Sequence, residues 1–179
     1  MSECRPCIDA LSAFLLQGAE LSGELGAELF AEASPLTRGG GIGPHLRHVA
    51  DFVRALLRDW EAGRVDYDRR ERDLRLETDP LRARAELLRL ATALRRLESV
   101  GAERELWVRS EAALVGEAWQ RSTLGRELGA LISHTVHHYA LIAVLLRAHG
   151  LEPKSEFGVA PSTLAHWQRE HAPCVPQAG

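Results

Sequence analysis

The sequence predicts an all-α protein: an up-down four-helix bundle with a long connection between its second and third helices and a C-terminal tail. Three observations carry that expectation. Four long segments place apolar residues at helical spacing, their ends carry capping and breaking residues, and turn-rich stretches separate them. The chain has 179 residues, 45% of them hydrophobic and 26% charged, enough apolar material for one packed core. We therefore expect a single domain over residues 1–179, with its core at about 7–150 and its tail at 151–179.

The first helix is expected from about Cys7 to Ala33, stopped by Ser34-Pro35. It carries Gly18, Ser22 and Gly26 four apart on one face. An interior glycine weakens a helix by about 1 kcal/mol, so this strip implies that another helix approaches closely. That helix belongs either to the same chain or to a second copy. The second helix is expected from about Ile42 to Ala62, led in by Thr37-Arg38-Gly39-Gly40-Gly41 and closed by Gly63. The third begins after Asp79-Pro80, an N-cap followed by proline at the first helical position, and runs to about Glu98. The fourth begins after Ser122 and reaches His149, with Gly150 and Pro153 beyond it.

Between the second and third helices, residues Val65 to Asp73 alternate charges of both signs, the pattern of a solvated, salt-bridged connection. Leu106-Trp107-Val108 suits a short extended piece, and Ser162 to Glu170 a short helix in the tail.

Charge and composition exclude several functions. Lys+Arg 22 against Asp+Glu 25 gives a net charge of -3, and the basic residues are spread along the helices. Without a concentrated basic footprint, no nucleic-acid partner is expected. No window holds about 18 uninterrupted apolar residues, so no membrane partner is expected. The apolar patch Ala10 to Leu16 lies between Asp9 and Glu20 without a cleavage site, which places the protein in the cytoplasm. Three cysteines cannot make a disulfide framework; Cys4 and Cys7 read as unpaired thiols and Cys174 as a tail residue.

The chemistry concentrates in histidine. His134 and His138 sit four apart on the fourth helix, and His45 and His48 three apart on the second. Four residues make about 1.1 turns, so an i, i+4 pair points two imidazoles the same way. A third imidazole from a facing helix would complete a three-nitrogen metal site with an open position. At 100° per residue, His134 and His138 fall on one border of an arc containing Leu128, Leu131, Thr135, Ile142 and Leu146, and His137 points further out. On the second helix His45 lies inside the apolar arc and His48 beyond its edge, so periodicity favours His45 as the third ligand. Helix rotation leaves either open.

These residues also carry a resemblance. Ile42-Gly43-Pro44-His45-Leu46-Arg47-His48-Val49 looks like the leading metal-histidine helix of the DinB/YfiT-like superfamily, and His134-Thr135-Val136-His137-His138 is similar to its closing H-x-x-H-H motif. Asp66 to Asp73 with Glu77-Thr78-Asp79, and Phe157-Gly158-Val159-Ala160-Pro161-Ser162-Thr163, resemble an uncharacterised branch of it. The matches run in order from about residue 41 to 163.

The resemblance implies a homodimeric four-helix bundle that binds a divalent metal (zinc or nickel, or iron) through His48, His134 and His138. It leaves His45 as the alternate ligand and His137 as a neighbour. It further implies a thiol S-transferase acting on a small-molecule substrate with a low-molecular-weight thiol, the metal activating the thiol. The alternatives are metal-dependent hydrolysis of a small substrate and a non-catalytic metal-binding stress or interaction module. No catalytic acid or nucleophile is evident. Tyr67, Arg70, Arg72 and Asp73 are candidates for lining the pocket or a dimer seam. One departure stands out: many members follow the last histidine with Arg-Gly-Gln, where this chain has Tyr139-Ala140-Leu141. The tryptophans Trp60, Trp107, Trp119 and Trp167 are too many for so slim an interior and suit a dimer interface.

Overall fold

The computed structural model describes residues 4–38, 40–110 and 119–170. The protein is mostly helical. Helix α1 (Arg5–Glu24) starts with Pro6 in its first turn, where a missing N–H costs nothing. It ends at Leu25, whose extended backbone separates it from the short α2 (Ala27–Ala31). The single helix expected to Ala33 is thus two, and Gly26 is the break. After a 3-10 turn at Pro35–Thr37 the chain enters α3 (Ile42–Asp59). Asp79 caps α4 (Pro80–Ala93) by accepting from the Arg82 N–H, and that helix tightens into a 3-10 turn at Leu94–Leu97. Thr123 caps α5 (Leu124–Ala148) by accepting from the Arg126 N–H; α6 (Pro161–Glu170) follows in the tail.

Three strands correct the all-α expectation. Strands β1 (Arg64–Asp66), β2 (Glu105–Arg109) and β3 (Gln120–Thr123) form one sheet in that order, β1 parallel to β2 and β2 antiparallel to β3. In register, Val65 meets Val108 and Leu106 meets Ser122. Each strand is too short to display a period-two pattern: β1 buries Val65 between two charged residues, and β2 buries Leu106. Only the Leu106 piece reads as extended in the sequence, and the parallel pairing joins segments about 40 residues apart.

The four long helices pack in a ring. Helix α1 lies against α4 and α5, and α3 lies against the same two. Leu15, Leu46, Val53, Leu90, Leu128 and Ile142 are fully buried in the core between them. The small residues of α1 serve this packing within the chain. A Cβ on Gly18 would come 2.2 Å from the Tyr139 hydroxyl, while Ser22 is buried and donates to the Gly18 carbonyl. Gly26 faces open space. Tyr139 is fully buried, donates to the Phe14 carbonyl at 2.7 Å and stacks on Phe157 of the tail. The residue directly after the last histidine of the pair therefore fastens α5 to α1.

By length and composition alone, α5 is apolar enough to cross a membrane, which a count of uninterrupted apolar residues misses. Its Leu128, Leu131, Tyr139, Ile142 and Leu146 are buried in the core.

At the start of α3 two glycines admit neighbouring backbone. A Cβ on Gly41 would meet the Glu32 carbonyl oxygen at 2.0 Å, and one on Gly43 the Glu77 carbonyl oxygen at 2.1 Å. The 3-10 turn Leu74–Glu77 thereby lies against the helical turn that carries the first histidines.

Candidate metal centre

Helices α3 and α5 pack together and bring both histidine pairs to their junction. One ring nitrogen each from His48, His134 and His138 lies within 4.8 Å of the others. His134 and His138 face each other Nε2 to Nε2 at 3.2 Å. The ring of His48 is centred 4.6 Å from that of His138 and 4.9 Å from that of His134. His45 stands behind the cluster, its Nδ1 2.9 Å from the Nδ1 of His138. His137 is exposed beside His138, with ring centres 5.1 Å apart.

The helical projection favoured His45, whereas the group whose ring nitrogens converge contains His48. The centre of an apolar arc marks the direction of the whole core, whereas the cluster lies where α5 crosses α3, on the border of that arc. His45 faces the same junction but spends its inner nitrogen on His138.

The electrostatics suit metal binding. Burial, reinforced by nearby positive charge, pushes His48 down to about 3, His134 to about 4 and His138 to about 2; His45 is lowered as well, again chiefly by burial. All four are neutral at pH 7, and only a neutral imidazole offers a lone pair to a metal. Two Nε2 atoms that face each other can share at most one proton. His134 Nδ1 and His45 Nε2 are buried without a partner. Nitrogen facing nitrogen, with no carboxylate in the cluster among the described residues, is a donor set that zinc, nickel, iron and copper accept.

The wall of the site is aromatic. Phe52, one turn after His48, has its ring centre 4.9 Å from that of His48 and 4.4 Å from that of His134. Tyr67, just past β1, stacks on Phe52 at 5.3 Å. Its hydroxyl donates to the Glu127 carboxylate at 2.9 Å, and Ser122 donates to the other oxygen. Burial first, and then the Glu127 charge, drive the Tyr67 phenol far above its ordinary pKa, so it remains a neutral donor. The sheet thus clamps the aromatic wall to the start of α5.

Arg70 lies on that wall. Its guanidinium carbon is 4.5 Å over the Phe52 ring, and Nη1 donates to the Tyr67 carbonyl at 2.7 Å. Of the four residues proposed for a pocket or seam, Tyr67 and Arg70 lie on the wall, one aromatic ring from the histidines. Arg72 and Asp73 instead line a separate surface cleft with Arg54 and Glu86, and Asp73 caps the Leu74–Glu77 turn. The charged connection is only partly solvated, because β1 pulls Tyr67 inward. Phe52 and Glu127 were missed by sequence reasoning. Their signals were an aromatic four residues after His48 and a carboxylate seven before His134.

On the other edge of α3 a chain of charges fixes the helix. Arg47 pairs with Asp51 and Glu77, and Arg54 with Asp51 and Glu86. The Asp51 side chain is completely buried. Cys4 is buried and Cys7 half-buried, both as free thiols, and burial raises Cys4 above its ordinary pKa. Cys174 lies outside the described residues.

No protein-family model matches the chain, and no solved structure matches it. A stretch of 109 residues, 59% of the chain, is 30% identical to FK506-binding protein 5 of Rhizopus delemar, and it spans 28% of that protein's length.

Proposed function

We propose that the chain is a divalent-metal protein of the DinB/YfiT-like kind, a four-helix bundle with an added three-stranded sheet. In this reading it holds zinc, nickel or iron through His48, His134 and His138. It acts as a metal-dependent thiol S-transferase on a small molecule. The observation that carries the reading is the meeting of three neutral imidazoles from α3 and α5 within 4.8 Å, with nitrogen facing nitrogen. A metal held by three imidazoles keeps a position open and stabilises a thiolate there.

The remaining chemistry belongs to the protein. With His138 Nδ1 donating to His45 Nδ1, 2.9 Å away, the Nε2 lone pair of His138 would be directed at the cluster. Phe52 and Tyr67 form an apolar flank that limits water beside the ligands. The same reading has the protein working as a cytoplasmic homodimer, with Trp107 (44% exposed) available for a partner copy.

Elemental analysis of the purified protein tests this reading, with about one divalent metal per chain as the expected result. A screen of low-molecular-weight thiols against electrophiles should give conjugation that a chelator abolishes. Light scattering on the same preparation should report about twice the 19.8 kDa chain mass. A protein without metal sinks the proposal. Full occupancy without turnover of any thiol moves the function to a binding module, and chelator-sensitive hydrolysis moves it to a hydrolase.

A further inference from the structure

Arg70 differs from the other half-buried arginines around α3 and the sheet. Arg47 is answered by Asp51 and Glu77, Arg54 by Asp51 and Glu86, and Arg109 by Asp66. Arg70 pairs with no carboxylate among the described residues. Its one hydrogen bond there runs from Nη1 to a neutral carbonyl, and its Nε is buried without a partner. Two acidic residues, Asp51 and Asp68, attract it through space, while Arg72 and Arg47 repel it.

A guanidinium in this position is costly. It has lost part of its water and has no counter-ion among the described residues, and it sits one aromatic ring away from the histidine cluster. Its charge reaches that cluster, being one of the influences that keep His48 and His134 neutral. Three neutral imidazoles bring no negative charge, so a divalent metal there would leave the whole site strongly positive. Nothing in the first turn of α5 offsets this, because Glu127 is committed to Tyr67 and Ser122. Among the described residues nothing at the cluster supplies that charge, and an anionic ligand would.

We propose that Arg70 is the anchor for an oxyanion, a carboxylate or phosphate group, on the small molecule that enters the open position of the metal centre. The Phe52 ring holds the guanidinium plane, and the Tyr67 carbonyl fixes one of its amino groups. The donors that remain suit a planar, charge-assisted contact, which arginine makes better than lysine. This inference rests on the metal reading and adds the class of molecule that the centre selects: an anionic one.

The test uses metal-loaded protein, with metal content measured first for the wild type, Arg70→Gln and Arg70→Lys. Binding of acetate, succinate and inorganic phosphate is then followed by calorimetry, separating carboxylate from phosphate. With equal metal in all three proteins, Arg70→Gln should bind the preferred anion roughly 10- to 100-fold more weakly. Arg70→Lys should retain part of the affinity, since it keeps the charge and loses the fork. Equal anion affinity in wild type and Arg70→Gln, or no anion binding to the loaded wild type, overturns the inference and leaves the metal centre standing. A wild type that takes up no metal overturns the metal reading itself, and the inference falls with it.

Discussion

The two edges of α3 are built from similar material and end in opposite states. One edge carries Arg47, Asp51 and Arg54, the other His45, His48 and Phe52; both are half-buried and packed against neighbouring elements. On the first edge every charge has an answer: Asp51, with no exposed side-chain surface, accepts from two arginines, which in turn reach Glu77 and Glu86. On the second, imidazole nitrogens face one another, two more nitrogens are buried without partners, and Arg70 lacks a counter-ion among the described residues. A polar cluster that closes on itself holds a fold together. One that stays open, at a point where packing forces its members together, is prepared for something from outside.

The sharpest way to break this comparison is to remove one residue from each edge. His138→Ala should lower metal affinity by more than the roughly 100-fold that an outer hydrogen-bond partner is worth, while helical circular dichroism and the urea midpoint of the metal-free protein change little. Asp51→Ala should do the reverse. It strands two largely buried guanidinium groups, which keep only Glu77 and Glu86, and should cost about 3 kcal/mol in urea unfolding at unchanged metal stoichiometry. If His138→Ala unfolds the protein as badly as Asp51→Ala, the histidines are structural and the distinction collapses.

A smaller effect separates the two histidines of α3. His48 belongs to the cluster, whereas His45 only holds His138 from behind. His45→Ala should therefore keep metal stoichiometry and lose about 10- to 100-fold in affinity, the usual cost of removing a partner that orients a ligand. His48→Ala should lose stoichiometric binding. If His45→Ala empties the site and His48→Ala does not, the helical projection was the better guide.

Why the sequence favoured His45 shows what was legible and what was not. Helices α3, α4 and α5 could be read because fourteen or more residues display a period, and Asp79-Pro80 marks a start that holds to the residue. The sheet was invisible because strands of three to five residues show no period, and β1 finds its parallel partner only after the whole of α4 has intervened. Within the site, the spacing of His134 and His138 guaranteed a shared face. The choice between His45 and His48 depended on where α5 crosses α3, which no local pattern encodes. Resemblance chose His48, and its ring nitrogen lies in the cluster. Arg70 and Tyr67 could be named but not placed, because their position follows from β1 pairing with β2.

A last expected effect lies in the pH dependence of the metal-free protein. His48, His134 and His138 are held down to between about 2 and 4 in the folded chain, chiefly by burial, against an ordinary value of 6.5 once the chain unfolds. As pH falls below about 6.5, the unfolded chain takes up protons that the folded cluster refuses, so stability must fall with pH over the window from 6.5 to about 4. Asp51 works the other way: its raised pKa means that the folded state takes up its proton first. The useful quantity is therefore the difference between two proteins that share Asp51. The urea midpoint of the chelated wild type should drop more steeply between pH 7 and pH 4.5 than that of the variant with all three histidines replaced by alanine. The arginine network, common to both proteins, should contribute nothing to the difference. Parallel pH profiles would mean that the three rings take up protons inside the fold as readily as outside it, and the open edge of α3 would then be no more strained than the closed one.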